Sequence, residues 1–179
     1  MTEMKTESKK PSGRRIIAAS AFGNALEFFD FGVYNFFVVY IGSLFFPPSS
    51  DENLGLLLAL ATFGVSFFMR PVGGLVIGAY ADKFGRRNAM VLTISLMSLG
   101  TLLLGLAPTY MTVEGWGYSG YWGTAALVLA RLIQGFAAGG EVGASMSMLV
   151  ESAPANKRGY FSSWALATQG VATTFGGLV

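Results

Sequence analysis

The stretch Gly78-Ala-Tyr-Ala-Asp-Lys-Phe-Gly-Arg-Arg87 separates two long apolar segments of the chain. Charged side chains such as those of Asp82, Arg86 and Arg87 are too costly to bury in hydrocarbon, so they must lie in water or among lipid headgroups. Gly85 is suited to a positive φ angle, which allows the chain to turn sharply. The sequence therefore predicts a short charged hairpin between two membrane helices.

The composition around this stretch is that of an integral membrane protein. The 179 residues are 53% hydrophobic and only 12% charged, about half the charge of an ordinary soluble domain. The mean hydropathy is +0.53, and the apolar residues form blocks of membrane-spanning length. The net charge of +2 comes from basic ends and loops. These residues form no patch interleaved with aromatics, so we expect no nucleic-acid partner.

The apolar blocks predict an all-α membrane protein with five helices. Residues 1–15 are polar and basic, and we predict that they form a tail before a partial helical bundle at 16–179. The first apolar block is too long for a cleaved signal peptide and long enough to span a membrane. The predicted helices cover residues 16–46, 54–80, 88–107, 121–150 and 160–179.

The distribution of Lys and Arg predicts the orientation of these helices. Ten of the twelve lie in the tail, in the 82–87 hairpin or in the 151–159 loop, whereas the 47–53 and 108–120 loops contain none. Because basic residues concentrate on the cytoplasmic side, we expect a multi-pass membrane protein with a cytoplasmic N-terminus.

Small residues at four-residue spacing predict close contacts between helices. Gly74 and Gly78 form one such row, and Gly135, Gly139 and Gly143 form another. Rows of this kind allow two backbones to approach where lipid offers no hydrophobic drive for association. The second and fourth predicted helices should therefore be buried in a bundle. The fifth predicted helix ends without a partner, and we expect a truncated chain.

Five charged residues fall inside the predicted spans. Each costs ~2.5–3.5 kcal/mol at the centre of a membrane helix unless it is paired or hydrated. Because three of them are acids and two are bases, they can form ion pairs with one another, and this favours a functional role for these residues. The five are Glu27, Asp30, Arg70, Arg131 and Glu141.

Glu27 and Asp30 are the candidates for carrying a proton. They are three residues apart, so both lie on one side of the first helix. The chain contains no His, so any proton handling falls to carboxylates or Tyr. The alternative is a pair of structural acids, each neutralised by an Arg on a neighbouring helix. Both possibilities stay open for Asp30, and the depth of Glu27 favours a proton site.

Arg131 is the first candidate for binding a substrate. It lies too deep for its guanidinium to reach water easily, and Gln134 shares its helix face. A buried guanidinium can hold a carboxylate in a bidentate manner. For Arg70, a substrate role and extension towards the membrane surface are both open. For Glu141 we expect a structural role as a partner of cytoplasmic basic residues.

The residue types present argue against an enzyme. The chain has neither Cys nor His, and the sequence contains no metal-ligand cluster, nucleophile–base pair or phosphate-binding loop. We therefore expect no catalytic residues, no metal and no cofactor.

Several stretches resemble one transporter family. The Gly78–Arg87 stretch resembles the major facilitator superfamily signature Gly-x-x-x-Asp-(Arg/Lys)-x-Gly-Arg-(Arg/Lys), and Arg131-Leu-Ile-Gln-Gly135 resembles its fourth-helix signature. Gly23-Asn-Ala-Leu-Glu-Phe-Phe-Asp-Phe-Gly-Val-Tyr34 is similar to the first helix of the metabolite:proton symporters. Further matches to that branch are Met69–Gly74, Gly139–Glu141 and Lys157–Gly159.

This resemblance implies proton symport of a small organic anion, such as a di- or tricarboxylate, across the inner membrane by alternating access. The family fold has two halves of about six helices each, so about five of about twelve helices are expected here. The partners would be a small organic acid, protons and the lipid bilayer. Alternatives are proton symport of a zwitterionic osmolyte such as proline or betaine, and a non-transporting scaffold or truncated fragment.

Two mechanistic hypotheses follow. In the first, Glu151 pairs with Arg86 or Arg87, and a charged cluster at the membrane surface latches the outward-open state. This predicted latch consists of Gly78, Asp82, Gly85, Arg86, Arg87, Glu151 and Arg158. In the second, Arg131 alternates between Glu27 or Asp30 and the substrate carboxylate, which couples proton and substrate uptake.

Overall fold

The architecture comes from a computed structural model that describes residues 13–48 and 52–178. Within these residues there is no strand, which confirms the predicted all-α fold, and a single 3-10 turn, Ala155–Lys157, precedes the last helix. The predicted tail residues 1–12, loop residues 49–51 and Val179 lie outside the described residues. The helices are α1 (Gly13–Phe45), α2 (Glu52–Phe84), α3 (Arg86–Leu106), α4 (Tyr110–Gly115), α5 (Tyr121–Ser152) and α6 (Arg158–Gly176).

The helices differ from the sequence expectations most clearly at three places. α1 begins at Gly13, inside the predicted tail, and α2 continues to Phe84 rather than ending at residue 80. The predicted 108–120 loop contains the short helix α4. Thr109 caps this helix, because its Oγ1 accepts a hydrogen bond of 3.3 Å from the backbone N–H of Thr112.

Four helices in the described part of the chain, α1, α2, α3 and α5, are long and apolar enough to cross a membrane. This confirms the prediction of a membrane protein. The sequence predicted five membrane-spanning helices, one more than these four. α6 has 19 residues and lies where the fifth span was expected, but Ser, Thr and Gln side chains interrupt its apolar sequence.

The reversal between α2 and α3 takes place at one residue. Gly85 has a φ of 93°, in the left-handed region that L side chains rarely adopt. The predicted positive φ is therefore confirmed, but the turn is much narrower than the expected 78–87 hairpin. Asp82 lies in the last turn of α2 and Arg87 in the first turn of α3, while Gly78 lies well inside α2.

α5 is the central helix of the bundle. It packs most extensively on α2 and α3, and α1 packs mainly on α6. The α2–α5 contact is a backbone-to-backbone approach: a Cβ on Gly135 would overlap the carbonyl oxygen of Ser66, and a Cβ on Gly139 would overlap that of Arg70. Glycine is required at both positions, as the four-residue spacing predicts.

The close contact between α2 and α5 extends over fewer residues than the predicted rows of glycines. Gly74 still belongs to it, because a Cβ there would lie 3.5 Å from the carbonyl oxygen of Gly139. A Cβ on Gly78 or Gly143 would meet no atom within 4 Å, so these two positions do not bring helices together. Only one face of α2 is covered, and its other face remains exposed.

Candidate functional site

Three helices bring buried charged side chains into the interior of the bundle. α1 supplies Glu27 and Asp30, α2 supplies Arg70, and α5 supplies Arg131 and Glu141. Glu27, Arg131 and Glu141 are at most 2% exposed. Buried charges at this depth are tolerated only when they are compensated by partners or neutralised. Which groups meet therefore decides what this interior can do.

Arg131 and Asp30 form one ion pair, between α5 and α1. Nη1 of Arg131 donates a hydrogen bond of 2.6 Å to Oδ2 of Asp30. The side chain of Arg131 is 1% exposed and that of Asp30 is 12% exposed. The contact is a short, charge-assisted hydrogen bond between helices that are far apart in sequence.

Gln134 extends this pair towards α3. Its Nε2 lies 3.2 Å from Oδ1 of Asp30 and 3.0 Å from Oγ1 of Thr101, and the amide donates to both. Oε1 of Gln134 and Nε of Arg131 have no hydrogen-bond partner among the described residues. The site therefore retains unused acceptor and donor groups beside the ion pair.

Tyr34 holds the Arg131 guanidinium from the side. Cζ of Arg131 lies 3.9 Å from the centroid of the Tyr34 ring, a cation–π contact. The Tyr34 hydroxyl donates a hydrogen bond of 2.9 Å to the carbonyl oxygen of Ala59, which fixes the ring against α2. The guanidinium is thus oriented by a carboxylate on one side and an aromatic face on another.

Arg70 and Glu27 form a second ion pair, between α2 and α1. Nη2 of Arg70 donates a hydrogen bond of 2.6 Å to Oε1 of Glu27. Oε2 of Glu27 and Nε of Arg70 have no partner among the described side chains and backbone groups. The two acids of α1 are therefore each engaged by an Arg on a different neighbouring helix.

Arg70 does not extend towards the membrane surface, as one of the two open alternatives had it. Its Cζ lies 4.7 Å from the centroid of Phe31 and 4.6 Å from that of Phe67. The two rings and Glu27 hold the guanidinium inside the bundle, because cation–π attraction strengthens when the cation is desolvated.

Glu141 contradicts its expected role as a partner of cytoplasmic basic residues. Its carboxyl group is buried against Gly23 of α1, where an added Cβ would overlap Oε1. Oε1 of Glu141 has no hydrogen-bond partner among the described residues. α5 continues to Ser152, so Glu141 lies ~16 Å from that end of the helix. A surface cation is too far away to compensate it.

A separate charged cluster lies where α2 and α5 end and α3 begins. Nη2 of Arg86 is 3.1 Å from Oδ1 of Asp82, and its Nε is 4.0 Å from Oε1 of Glu151. Of the other residues of the predicted latch, Arg87 and Arg158 are exposed. The predicted contact of Glu151 thus involves Arg86, at the distance limit of an ion pair. Solvation keeps such contacts weak.

The sequence reasoning missed several residues of the interior. Tyr34, Phe31 and Phe67 contact the two guanidinium groups, and Thr101 accepts from Gln134. Tyr34 lies four residues after Asp30, so helical spacing places both on one face. Thr101 was a weaker signal, because it is one of four hydroxyl residues on α3. Gly23 carried no signal for its contact with Glu141.

Comparison with known proteins identifies the family of the chain. The family model described as "Sugar (and other) transporter" matches residues 16–179. The chain belongs to this family, within the major facilitator superfamily. No solved structure matches it significantly. The family consists of transporters rather than enzymes, and the membership that the motifs predict is confirmed.

Individual transporters are similar to the chain over most of its length. It is 42% identical to the glycine betaine/proline/ectoine/pipecolic acid transporter OusA of Dickeya dadantii (strain 3937), over 84% of its length. It is 43% identical to the citrate-proton symporters of Klebsiella pneumoniae and Salmonella typhi, over 84% and 88% of its length. The match covers only 29%, 32% and 35% of these relatives.

Proposed function

We propose that this chain is part of a proton-coupled secondary transporter that carries a small organic anion, such as a di- or tricarboxylate, by alternating access. The observation that carries the proposal is the presence of two adjacent Arg–carboxylate pairs in the bundle interior, Arg131–Asp30 and Arg70–Glu27. In each pair the base is able to exchange its protein acid for a substrate carboxylate.

The exchange explains how proton and substrate movement are linked. When the acid of a pair takes up a proton, its Arg loses its partner and is free to bind an anion. When the acid releases the proton, it competes with the substrate for the same guanidinium. The guanidinium is paired with the acid before the exchange and with the substrate anion after it, which limits the desolvation cost of an isolated ion. Alternating access exposes the site to one side of the membrane at a time.

The pairing differs from the sequence hypothesis in one respect. That hypothesis let Arg131 alternate between Glu27 or Asp30 and the substrate. In the geometry Arg131 contacts Asp30, and Glu27 is held by Arg70. We therefore propose two coupling pairs, with Glu27 and Asp30 as proton sites and Arg131, Arg70 and Gln134 as substrate-binding groups.

The second candidate is proton symport of a zwitterion. An Arg–carboxylate pair presents both signs of charge, so it suits a molecule that carries a carboxylate and an ammonium group. Similar proteins are named for betaine and proline as well as for citrate. Uptake of radiolabelled citrate, proline and betaine, each in competition with the others, separates the two candidates.

The proposal is tested in proteoliposomes. Because the match covers about a third of the relatives, the experiment uses a full-length transporter that carries this sequence. We expect an imposed inward proton gradient to drive accumulation of one of the three solutes, and a protonophore to abolish it. If none of the three solutes accumulates, with or without the protonophore, the result would support the alternative of a non-transporting scaffold.

The orientation is the first prediction. We expect the N-terminus and the α2–α3 turn in the cytoplasm and α4 in the periplasm, because basic residues favour the cytoplasmic side. The chain has no Cys, so single cysteines at Arg87 and Trp116, both exposed, serve as probes. In a Cys-free background, an impermeant maleimide should label position 116 but not position 87 in intact cells. Labelling of position 87 there would overturn the topology.

The second prediction concerns the charged cluster at the ends of α2, α3 and α5. We propose that the contact of Glu151 with Arg86 stabilises the outward-open state. Both groups are partly solvated, so the contact contributes at most ~1 kcal/mol. That is enough to change a two-state ratio about fivefold.

Distance measurements between spin labels on the full-length transporter test this latch. Glu151→Gln should shift the population towards the inward-open state by up to about fivefold. Glu114→Gln, which removes an exposed acid at the other end of the bundle, should leave the populations unchanged. The same distribution in Glu151→Gln and the native protein would refute the latch.

A further inference from the structure

Among the described residues, the interior of the bundle holds three acids and two bases. Asp30 is compensated by Arg131 and Glu27 by Arg70, which leaves Glu141 without a cation among the described residues. From this geometry we infer that Glu141 is a second proton-holding site, which exchanges a proton with Glu27 inside the bundle. The inference rests on the proposed proton coupling and adds to it a carboxyl group on α5.

The packing of α5 against α1 places the carboxyl groups of Glu141 and Glu27 on neighbouring helical turns. Oε1 of Glu141 occupies the space that the missing side chain of Gly23 leaves free. Gly23 and Glu27 are four residues apart on α1 and therefore share a face, one turn above the other. Glu141 thus lies against α1 one turn away from Glu27, and carboxylates on neighbouring turns repel each other when both are ionised.

Among the described residues, no charged group near Glu141 is available to neutralise its carboxylate. On α1, the nearest acid is Glu27. On α2, the guanidinium of Arg70 is committed to Glu27. On α5, Arg131 is committed to Asp30 and lies ~15 Å along the same helix.

The remaining neighbours offer no interior charge. α3 presents Ile94 at Gly23, and its Arg residues lie in its first turn, outside the interior. The one charged residue of α6, Arg158, lies in its exposed first turn. A carboxylate that is 2% exposed and faces only another acid is strongly disfavoured. Protonation makes Glu141 neutral and so removes the cost of burying this charge.

The exchange needs no other reactant. In the resting arrangement Glu141 is a carboxylic acid and Glu27 a carboxylate bound to Arg70. The proton leaves an oxygen of Glu141 and binds Oε2 of Glu27, which has no partner among the described groups. Glu141 becomes the carboxylate and Glu27 the acid, and the total charge of the two is unchanged. Because a carboxylate at Glu141 is costly, this state lasts only until Glu141 takes up a new proton from the side of the membrane to which the site is open. The substrate anion replaces Glu27 on Arg70 in the same step.

Infrared spectroscopy of the full-length transporter tests where the proton resides. Isotope labelling of Glu with carbon-13 separates the carbonyl stretch of protonated Glu from that of Asp. At neutral pH, where solvated Glu is ionised, we expect a shifted band from a protonated Glu in the native protein. Glu141→Gln should remove it, and Glu114→Gln, at an exposed position, should not. A band that survives in Glu141→Gln overturns the inference.

Two glycine variants keep the test decisive if Glu141→Gln does not fold. A Cβ at Gly23 overlaps the carboxyl group of Glu141, whereas a Cβ at Gly143, two residues further along α5, meets no atom within 4 Å. Gly23→Ala should therefore shift the protonated-Glu band, and Gly143→Ala should leave it in place. A band that is identical in both variants and in the native protein contradicts the assignment.

Transport measurements separate this inference from the proposed function. For each pH unit of imposed gradient, Glu141→Gln should lower the accumulation ratio about tenfold, because one coupled proton is worth that factor. Downhill exchange of labelled substrate should persist, which a purely structural role does not predict. Accumulation by Glu141→Gln equal to the native level overturns the inference and leaves the proposed function intact. Failure of the native protein to accumulate any solute overturns the proposed function, while the infrared band still decides the state of Glu141.

Discussion

Arg131→Gln should destabilise the full-length transporter by about 3–5 kcal/mol, because it removes one partner of a buried ion pair and leaves the other charge uncompensated. Asp30 would keep only the hydrogen bond from Gln134. The cation–π contact with Tyr34 would be lost as well. Denaturant unfolding in detergent measures the change.

A double-mutant cycle identifies the source of that loss. Asp30→Asn combined with Arg131→Gln removes both charges, so the double variant should be more stable than Arg131→Gln alone. Arg86→Gln is the matched control, because the ion pairs of Arg86 are partly solvated and contribute at most ~1 kcal/mol each. A double variant no more stable than Arg131→Gln would show that the uncompensated charge of Asp30 is not the source of the loss.

The turn between α2 and α3 could be predicted because its determinants are local. A run of charges excludes hydrocarbon, and a glycine allows the positive φ that Gly85 adopts. Its length could not be predicted in the same way. Charged side chains are compatible with a helix once it leaves the membrane, so α2 continues through Asp82 to Phe84.

The glycine rows predicted which helices approach closely but not how far the contact extends. Gly135 and Gly139 lie directly on the backbone of α2, whereas Gly143 meets no neighbour. Helices that cross at an angle diverge away from the contact point. The spacing of small residues does not contain that angle, so the end of the row was beyond sequence reasoning.

For the charged residues of the site, the sequence predicted which side chains are buried but not which of them pair. Helical periodicity gives the depth and the face of Glu27, Asp30 and Arg131, and these were identified as buried and functional candidates. Which acid meets which base depends on the relative rotation and axial shift of three helices. That information lies in long-range packing, so the pairing of Arg70 with Glu27 and the unpaired state of Glu141 emerged only from the structure.

Glu27→Gln should uncouple substrate movement from the proton gradient. Arg70 would lose its carboxylate partner permanently, because a Gln side chain neither ionises nor takes up a proton. Phe31 and Phe67 would still hold the guanidinium by cation–π contacts. The variant should therefore bind and exchange substrate down its gradient without a change in protonation.

The measurement compares exchange with accumulation in proteoliposomes of the full-length transporter. For Glu27→Gln, accumulation should fall about tenfold for each pH unit of imposed gradient and each proton lost from the coupling, while exchange persists. A permanent structural pair between α1 and α2 predicts a different result, in which poor folding removes both activities. Asp30→Asn provides the comparison, because Asp30 is the acid of the other pair. If Glu27→Gln still accumulates substrate at the native level and Asp30→Asn does not, the coupling proton binds at Asp30, and the Arg70–Glu27 pair serves packing alone.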